Sequence, residues 1–133
     1  MKNILVAYDG GAPAHRALEA GIELARRFDA SLAVVSVIPV HPGLAPFDPW
    51  DDRESHEEQL REAREILASH GIVAEMIEPT GDPARAIERV AAMGRFDTIV
   101  VGTRGLDAVS RFLKGSVSAH VATHAQATVV VAR

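Results

Sequence analysis

The stretch Asn3–Gly11, which reads Asn-Ile-Leu-Val-Ala-Tyr-Asp-Gly-Gly, decides the fold. Its first part, Asn3–Tyr8, is an apolar run that is too short for a helix and predicts a buried strand. The turn Asp9–Gly11 ends that strand, because glycine and aspartate are typical of turns. Pro13 follows at a position that suits the first turn of a helix. A strand followed at once by a helix predicts the opening of an α/β fold.

Helical and strand-like periods alternate beyond this stretch. Small and apolar residues recur at helical spacing as far as Phe28, with charged residues between them, which predicts an amphipathic helix. Ser31–Ile38 is nearly continuous in leucine, alanine and valine, as expected of a strand that is covered on both faces. Two parallel strands joined through a helix require a right-handed crossover.

The rest of the chain repeats this alternation. Pro39–Pro49 contains four prolines and predicts a loop, and a charged helix follows over Asp51–His70, with Gly71 as its stop. Ile72–Glu78 alternates apolar and charged residues, which predicts a strand at a sheet edge. Asp82 is the expected N-cap of a third helix. The last predicted elements are strands over Asp97–Val101 and Thr128–Ala132, a glycine-bounded loop over Gly102–Lys114, and a helix over about Ser116–His124.

These elements predict one domain over residues 1–133, an α/β three-layer sandwich on a five-stranded, mostly parallel sheet. Composition excludes several other classes. The chain has no cysteine, which excludes disulfides and cysteine-ligated metals. Its net charge of −4 and its aromatic content of 5% argue against a nucleic-acid surface, and no apolar run approaches the roughly 20 residues of a membrane span. We therefore expect a soluble cytoplasmic protein that binds neither nucleic acid nor membrane.

The ends of the strands are the predicted ligand site. In an open parallel sheet, ligands bind beyond the carboxyl ends of the strands, where the strand order reverses. The segment after the fourth strand reads Gly102-Thr103-Arg104-Gly105 and, nine residues later, Gly115-Ser116-Val117. Glycine allows a close approach of the backbone to a ligand, and a helix that starts at Ser116 attracts anions. With the positive charge of Arg104 nearby, these residues predict an anion site, most naturally for the phosphates of a nucleotide.

The same residues also permit a plainer interpretation. Glycine at a strand end is often only a turn, Ser116 is an ordinary N-cap, and neither common phosphate-loop fingerprint is present. Ser116 lies in no Gly-x-Ser-x-Gly elbow, and Asp9 has no evident acid–base partner, so hydrolysis of a bound nucleotide would be slow at best. His120 and His124 have the spacing of two metal ligands but no evident third, and we predict no protein metal site.

The pattern G-x2-G-x9-G-[ST] over Gly102–Ser116, together with the opening Ile4–Gly10, resembles the universal stress protein family. The turn Gly81–Pro83, the ending Val129–Val131 and the element order extend this resemblance to the whole chain. It implies a Rossmann-like fold of the adenine nucleotide alpha hydrolase type, with strand order 3-2-1-4-5. It also implies a member that binds ATP, because the glycine motif separates ATP-binding members from the others.

The resemblance further implies a role for each matching position. Asp9 would bond the ribose or the adenine, beside a wall made of Ala7 and Tyr8, and Val37 would pack on the adenine. The backbones of Val101, Gly102 and Gly105 would line the ribose and phosphate path. Gly115–Val117 would hold the β- and γ-phosphates, with Mg²⁺ or Mn²⁺ on their oxygens. The predicted nucleotide-binding set is Ala7, Tyr8, Asp9, Val37, Val101, Gly102, Arg104, Gly105, Gly115, Ser116 and Val117.

One position departs from the family pattern. The family usually has serine after the Asp-Gly pair, where this chain has Gly11. That serine mainly caps the first helix, so we expect a small loss of stability and no loss of nucleotide binding. The resemblance also implies a homodimer through Thr128–Ala132 and a nucleotide sensor of the stress response that acts on a partner protein. A dimeric interaction module without a nucleotide and a slow ATPase remain as alternatives.

Overall fold

Five parallel strands form the centre of the structure, a computed structural model whose description covers residues 1–38, 49–103 and 127–133. For residues 49–54 it covers the backbone alone. The strands are β1 (Asn3–Ala7), β2 (Ser31–Val35), β3 (Glu75–Ile77), β4 (Thr98–Gly102) and β5 (Thr128–Ala132). The helices of the described residues are α1 (Gly11–Phe28), α2 (Pro49–Ser69) and α3 (Pro83–Met93).

The strands lie in the order β3-β2-β1-β4-β5, and each neighbouring pair is parallel. This confirms the predicted α/β class and the predicted order 3-2-1-4-5. The segment Ile4–Val6 of β1 is fully buried, because β2 and β4 pair with its two edges while helices cover its faces. The strand order reverses between β1 and β4: the strand that follows β1 in the chain lies on one side of this pair, and the strand that follows β4 lies on the other.

Alternate strand residues face two separate cores, as the period of two requires. One core, which we call the α1/α2 layer, contains Ile4 and Val6 of β1 packed on apolar residues of both helices. The other, the α3 layer, contains Leu5 of β1 packed with Ala84, Ile87 and other residues of α3. Both faces of the sheet are therefore covered by helices.

The ends of the helices follow their local sequence. Asp82 is the N-cap of α3, and its carboxylate accepts a hydrogen bond from the backbone N–H of Arg85 at 3.2 Å, as predicted. α2 begins at Pro49, two residues before the approximate start predicted at Asp51, because the fixed φ of proline suits the first helical position. Gly71, at φ 69°, lies just beyond the end of α2, as expected of a helix stop.

Four of the predicted strands have other boundaries in the structure. β1 ends at Ala7 and not at Tyr8, and β2 ends at Val35 and not at Ile38, which forms only an isolated bridge to Thr80. The predicted strand Ile72–Glu78 does lie at a sheet edge, but only Glu75–Ile77 pairs with β2. The predicted strand Asp97–Val101 runs instead to Gly102, and Asp97 serves as a hydrogen-bonding residue at its start. Of the predicted loop Gly102–Lys114, only the first two residues are described, and the predicted helix Ser116–His124 lies outside the described residues. None of the helices in the described ranges is long and apolar enough to cross a bilayer.

Candidate functional site

Three strands bring predicted site residues together at the carboxyl edge of the sheet. Ala7 ends β1, Val37 follows β2, and Val101 lies near the end of β4. All three belong to the α3 layer, and Ala7 and Val37 keep part of their surface exposed. The register that pairs Val6 with Val100 places Ala7 beside Val101. These residues form one apolar face at the point where the strand order reverses.

The turn between β1 and α1 borders this face. Asp9 is exposed there, two residues beyond the end of β1, and Gly10 and Gly11 follow with φ of 80° and 82°. Such positive φ values favour glycine, because a Cβ would be strained there. α1 begins at Gly11 without a side-chain hydrogen bond at its N-cap Gly10. The N-cap of α1 is therefore Gly10, and position 11 is the first helical residue, so the expectation that a serine at position 11 would cap this helix is wrong.

Gly102 has a packing reason to be glycine. A Cβ at this position would lie 2.3 Å from the backbone oxygen of Pro13, in the first turn of α1. The absent side chain therefore lets the end of β4 touch the start of α1. Both sides of this contact belong to the chain itself, so the requirement for glycine at this predicted site residue is at least partly structural.

The side chain of Tyr8 lies on the opposite face of the sheet from Ala7. It is buried in the α1/α2 layer, where its hydroxyl donates a hydrogen bond to Oε2 of Glu62 at 3.3 Å. Its ring stacks on that of His15, with 5.7 Å between the centroids and 11° between the planes. Burial, followed by the nearby Glu62 carboxylate, raises the pKa of Tyr8. The phenol therefore stays protonated at neutral pH, and its ring is not on the apolar face that Ala7, Val37 and Val101 share.

A polar stripe on α2 faces these strand ends. Its members, His56, Gln59 and Glu62, follow one another at intervals of three residues, which places them along one side of a helix. His56 lies with Nε2 3.6 Å from Oε1 of Glu78, and Gln59 packs against Gly10. We did not predict these residues as part of the site. Their spacing of three residues indicates that they share one side of a helix, but polar residues on a charged helix more often face solvent than a site.

The α2 stripe covers a polar row on the sheet. The register of β1, β2 and β3 places Tyr8, Ser36 and Glu78 side by side, just beyond the paired segments. Ser36 Oγ and His56 Nε2 are buried, and neither has a hydrogen-bond partner among the described residues. The carboxyl edge thus has an apolar face toward α3 and a polar, helix-covered face toward α2.

The described part of the edge suits a ligand that has a flat apolar ring and hydroxyl groups. The ring could pack on the apolar face, while the hydroxyls donate hydrogen bonds to a carboxylate such as Asp9. No group of three or more histidine, aspartate or glutamate side chains within the described ranges could hold a metal ion. The other predicted site residues lie outside the described residues; they are Arg104, Gly105, Gly115, Ser116 and Val117. His120 and His124 also lie outside the described residues.

Comparisons with known proteins agree with this architecture. A protein of Staphylococcus haemolyticus, named as a universal stress protein, is 34% identical over 140 residues, which are 99% of this chain and 84% of its own. The structure of the universal stress protein from Archaeoglobus fulgidus in complex with dAMP is 26% identical, with a TM-score of 0.64 and coverage of 100% of this chain and 98% of its own.

A universal stress protein family protein from Arabidopsis thaliana, whose structure has AMP bound, is also 26% identical. Its TM-score is 0.65, and the match covers 99% of this chain and 91% of the Arabidopsis chain. The model of the universal stress protein family matches residues 1–133, the full length of the sequence. With that match and the relative of 34% identity, this chain belongs to the universal stress protein family.

Proposed function

We propose that the chain binds an adenine nucleotide at the carboxyl edge of the sheet, between β1 and β4. One observation carries this proposal: Ala7, Val37 and Val101, from three strands, meet in one apolar face where the strand order reverses. The adenine would pack on this face, and Asp9 would accept hydrogen bonds from the ribose or the adenine. The family members with bound AMP and dAMP support an adenine nucleotide as the ligand class.

ATP is the nucleotide that the glycine motif favours. In this proposal Gly102, Arg104 and Gly105 border the phosphate path, and Gly115–Val117 holds the β- and γ-phosphates. A Mg²⁺ or Mn²⁺ ion would sit on the phosphate oxygens. The support for this part is the spacing of glycine and serine in the sequence, since most of these residues lie outside the described ranges.

The biological role that we propose is that of a cytoplasmic nucleotide sensor in a stress response. The protein would act as a homodimer whose nucleotide occupancy alters its contact with a partner protein. β5 supports the dimer, because it is an edge strand of the sheet and exposes Thr128 and Val129. A strand with an unpaired edge is a ready site for association with another chain.

The first experiment is to denature freshly purified protein and identify any released nucleotide by chromatography and mass spectrometry. Calorimetric titrations with AMP, dAMP and ATP, with and without Mg²⁺, then give the affinities. Near-stoichiometric ATP is the expected result. If nothing is released and no added nucleotide binds, the proposal is wrong and a dimeric interaction module becomes the better interpretation.

Variants test the two halves of the site separately. Ala7→Leu should weaken AMP and ATP by at least about tenfold, because the added side chain would occupy the place of the base. Ala68→Leu, an equal enlargement at an exposed position on α2, should leave both affinities unchanged. Gly115→Val should weaken ATP far more than AMP, because only ATP has a γ-phosphate. Phosphate release that Asp9→Asn abolishes would instead favour a slow ATPase.

A further inference from the structure

The turn between β1 and α1 has little rigidity of its own. Gly10 and Gly11 are consecutive glycines with positive φ, and glycine loses more conformational freedom than any other residue when its backbone is fixed. No side-chain cap hydrogen bond fixes the start of α1 at Gly10. Asp9, the proposed nucleotide ligand, lies in this turn. Neighbouring elements must therefore hold the turn if Asp9 is to keep one position.

Glu62 of α2 contacts the chain on both sides of this turn with a single oxygen atom. Its Oε2 accepts the hydrogen bond from Tyr8, which precedes the turn, and lies 3.5 Å from Nε2 of His15, which follows the turn on α1. The stacked rings of Tyr8 and His15 bring these two groups to the same oxygen. Gln59, three residues earlier on α2, has its Cγ 3.0 Å from the place of a Cβ on Gly10.

We propose that Glu62 is a positioning residue that holds the turn Asp9–Gly11 in place from α2. Its carboxylate supplies from a neighbouring helix the restraint that a side-chain cap supplies within other helices. A turn that is already ordered costs less conformational entropy when a ligand binds to it. The benefit to nucleotide binding rests on the proposed function, whereas the restraint on the turn does not.

Hydrogen exchange of the protein without nucleotide tests the restraint itself. Glu62→Ala and Tyr8→Phe should each speed exchange of the backbone amides of residues 14–17, the first in α1 that bond to a carbonyl four residues earlier, by about fivefold, the effect of one lost hydrogen bond. Glu62→Gln keeps an acceptor oxygen and should restore slow exchange. Glu58→Ala is the control, because Glu58 is exposed on the same helix and pairs with Arg61. A change spread evenly over the chain, or no change at residues 14–17, would overturn the proposal.

The chain has one tyrosine and one tryptophan, so the absorbance band of Tyr8, read in difference spectra in which the unchanged band of Trp50 cancels, reports its hydrogen bond. The band should shift in Glu62→Ala and stay close to that of the wild type in Glu62→Gln and Glu58→Ala. A band that is the same in all four proteins would show that the hydroxyl does not donate to Glu62. Glu62 would then not join the two sides of the turn through Tyr8 and His15.

Calorimetry with AMP decides whether the restraint serves the site. Glu62→Ala should weaken AMP binding by about fivefold, while Glu62→Gln and Glu58→Ala stay within about twofold of the wild type. Unchanged affinity in Glu62→Ala, together with faster exchange at residues 14–17, would remove the positioning role. If the wild type binds no nucleotide, the proposed function fails, and the exchange data alone decide whether Glu62 holds the turn.

Discussion

Two glycines, at positions where a side chain would not fit, connect the site to the fold. Gly21 lets α1 lie close to β1, since a Cβ there would be 2.4 Å from Cγ2 of Val6. Gly102 lets the end of β4 touch the start of α1 at Pro13. Both positions lie on α1 or against it, so this helix is held near the sheet at its middle and at its first turn. The glycine that resembles part of a phosphate motif is therefore also a packing residue.

Gly102→Ala should lower the free energy of unfolding by about 2–3 kcal/mol in the absence of nucleotide. The new Cβ would overlap backbone atoms of Pro13, which cannot rotate aside as a flexible side chain can. Thr103→Ala, at the next position, removes atoms at a half-buried site and should cost less than about 1 kcal/mol. Urea unfolding followed by circular dichroism measures both. If Gly102→Ala lost only nucleotide affinity and kept its stability, the glycine would serve the ligand and not the packing.

At the scale of the elements, Asp97 joins the beginnings of β1 and β4. One oxygen of its carboxylate accepts hydrogen bonds from the backbone N–H groups of Lys2 and Asn3, at 2.7 and 3.2 Å, and the other accepts from the Thr98 hydroxyl at 2.9 Å. Burial acts to raise the pKa of Asp97, but these hydrogen bonds outweigh it and lower the pKa. The ionised carboxylate is thus the form that the folded state favours.

A lowered pKa in the folded state means that the carboxylate of Asp97 stabilises the fold above the pKa of the unfolded chain, about 3.9. This contribution is lost as the pH falls through the lower, folded-state pKa. Asp97→Asn should cost about 1 kcal/mol at pH 7, a modest figure because the group is partly exposed to solvent. The variant should also show a weaker fall of stability below about pH 4.

Urea unfolding at a series of pH values tests this expectation. Glu19→Gln is the matched control, because Glu19 is an exposed carboxylate on α1. The control should keep the pH profile of the wild type. A profile for Asp97→Asn that parallels the wild type at every pH would show that another group causes the acid sensitivity.

Patterns within elements predicted most of the fold, and contacts between elements account for what was missed. The apolar run at Ile4–Val6 and the capping residue Asp82 carry enough local signal to predict a buried strand and a helix start. β3 pairs with only three residues of β2, and no local pattern records how far that pairing extends. The predicted wall made of Ala7 and Tyr8 conflicts with the strand period of two, which places neighbouring side chains on opposite faces of the sheet. The contacts of Glu62 with Tyr8 and His15 could not be predicted, because they depend on the position of α2 over the strand ends.

At the scale of the whole molecule, the two outer strands of the sheet differ in what they present. β3 is short and carries an exposed Glu75, as expected of an edge that avoids association. β5 is longer and has the apolar Val129 40% exposed. Val130 instead packs on the α1/α2 layer, so a charge there would disturb the core as well as any dimer.

Val129→Glu should therefore convert the proposed homodimer to monomers without unfolding them, because a charge on β5 opposes pairing of two sheet edges. Val73→Glu places the same charge at a valine that is 99% exposed, between α2 and β3, and should leave the dimer intact. Light scattering and sedimentation give the mass of each. A dimeric Val129→Glu protein, or a monomeric wild type, would contradict the β5 interface.

The pairing of β1 with β4 also affects how the protein is made. Ile4 pairs with Thr98, so the two strands at the centre of the sheet are separated by most of the chain. A ribosome that adds about 5–20 residues per second needs roughly 5–20 s to reach β4 after it has made β1. During that interval the growing chain holds Ile4–Val6, fully buried in the finished protein, with one backbone edge still open to other chains.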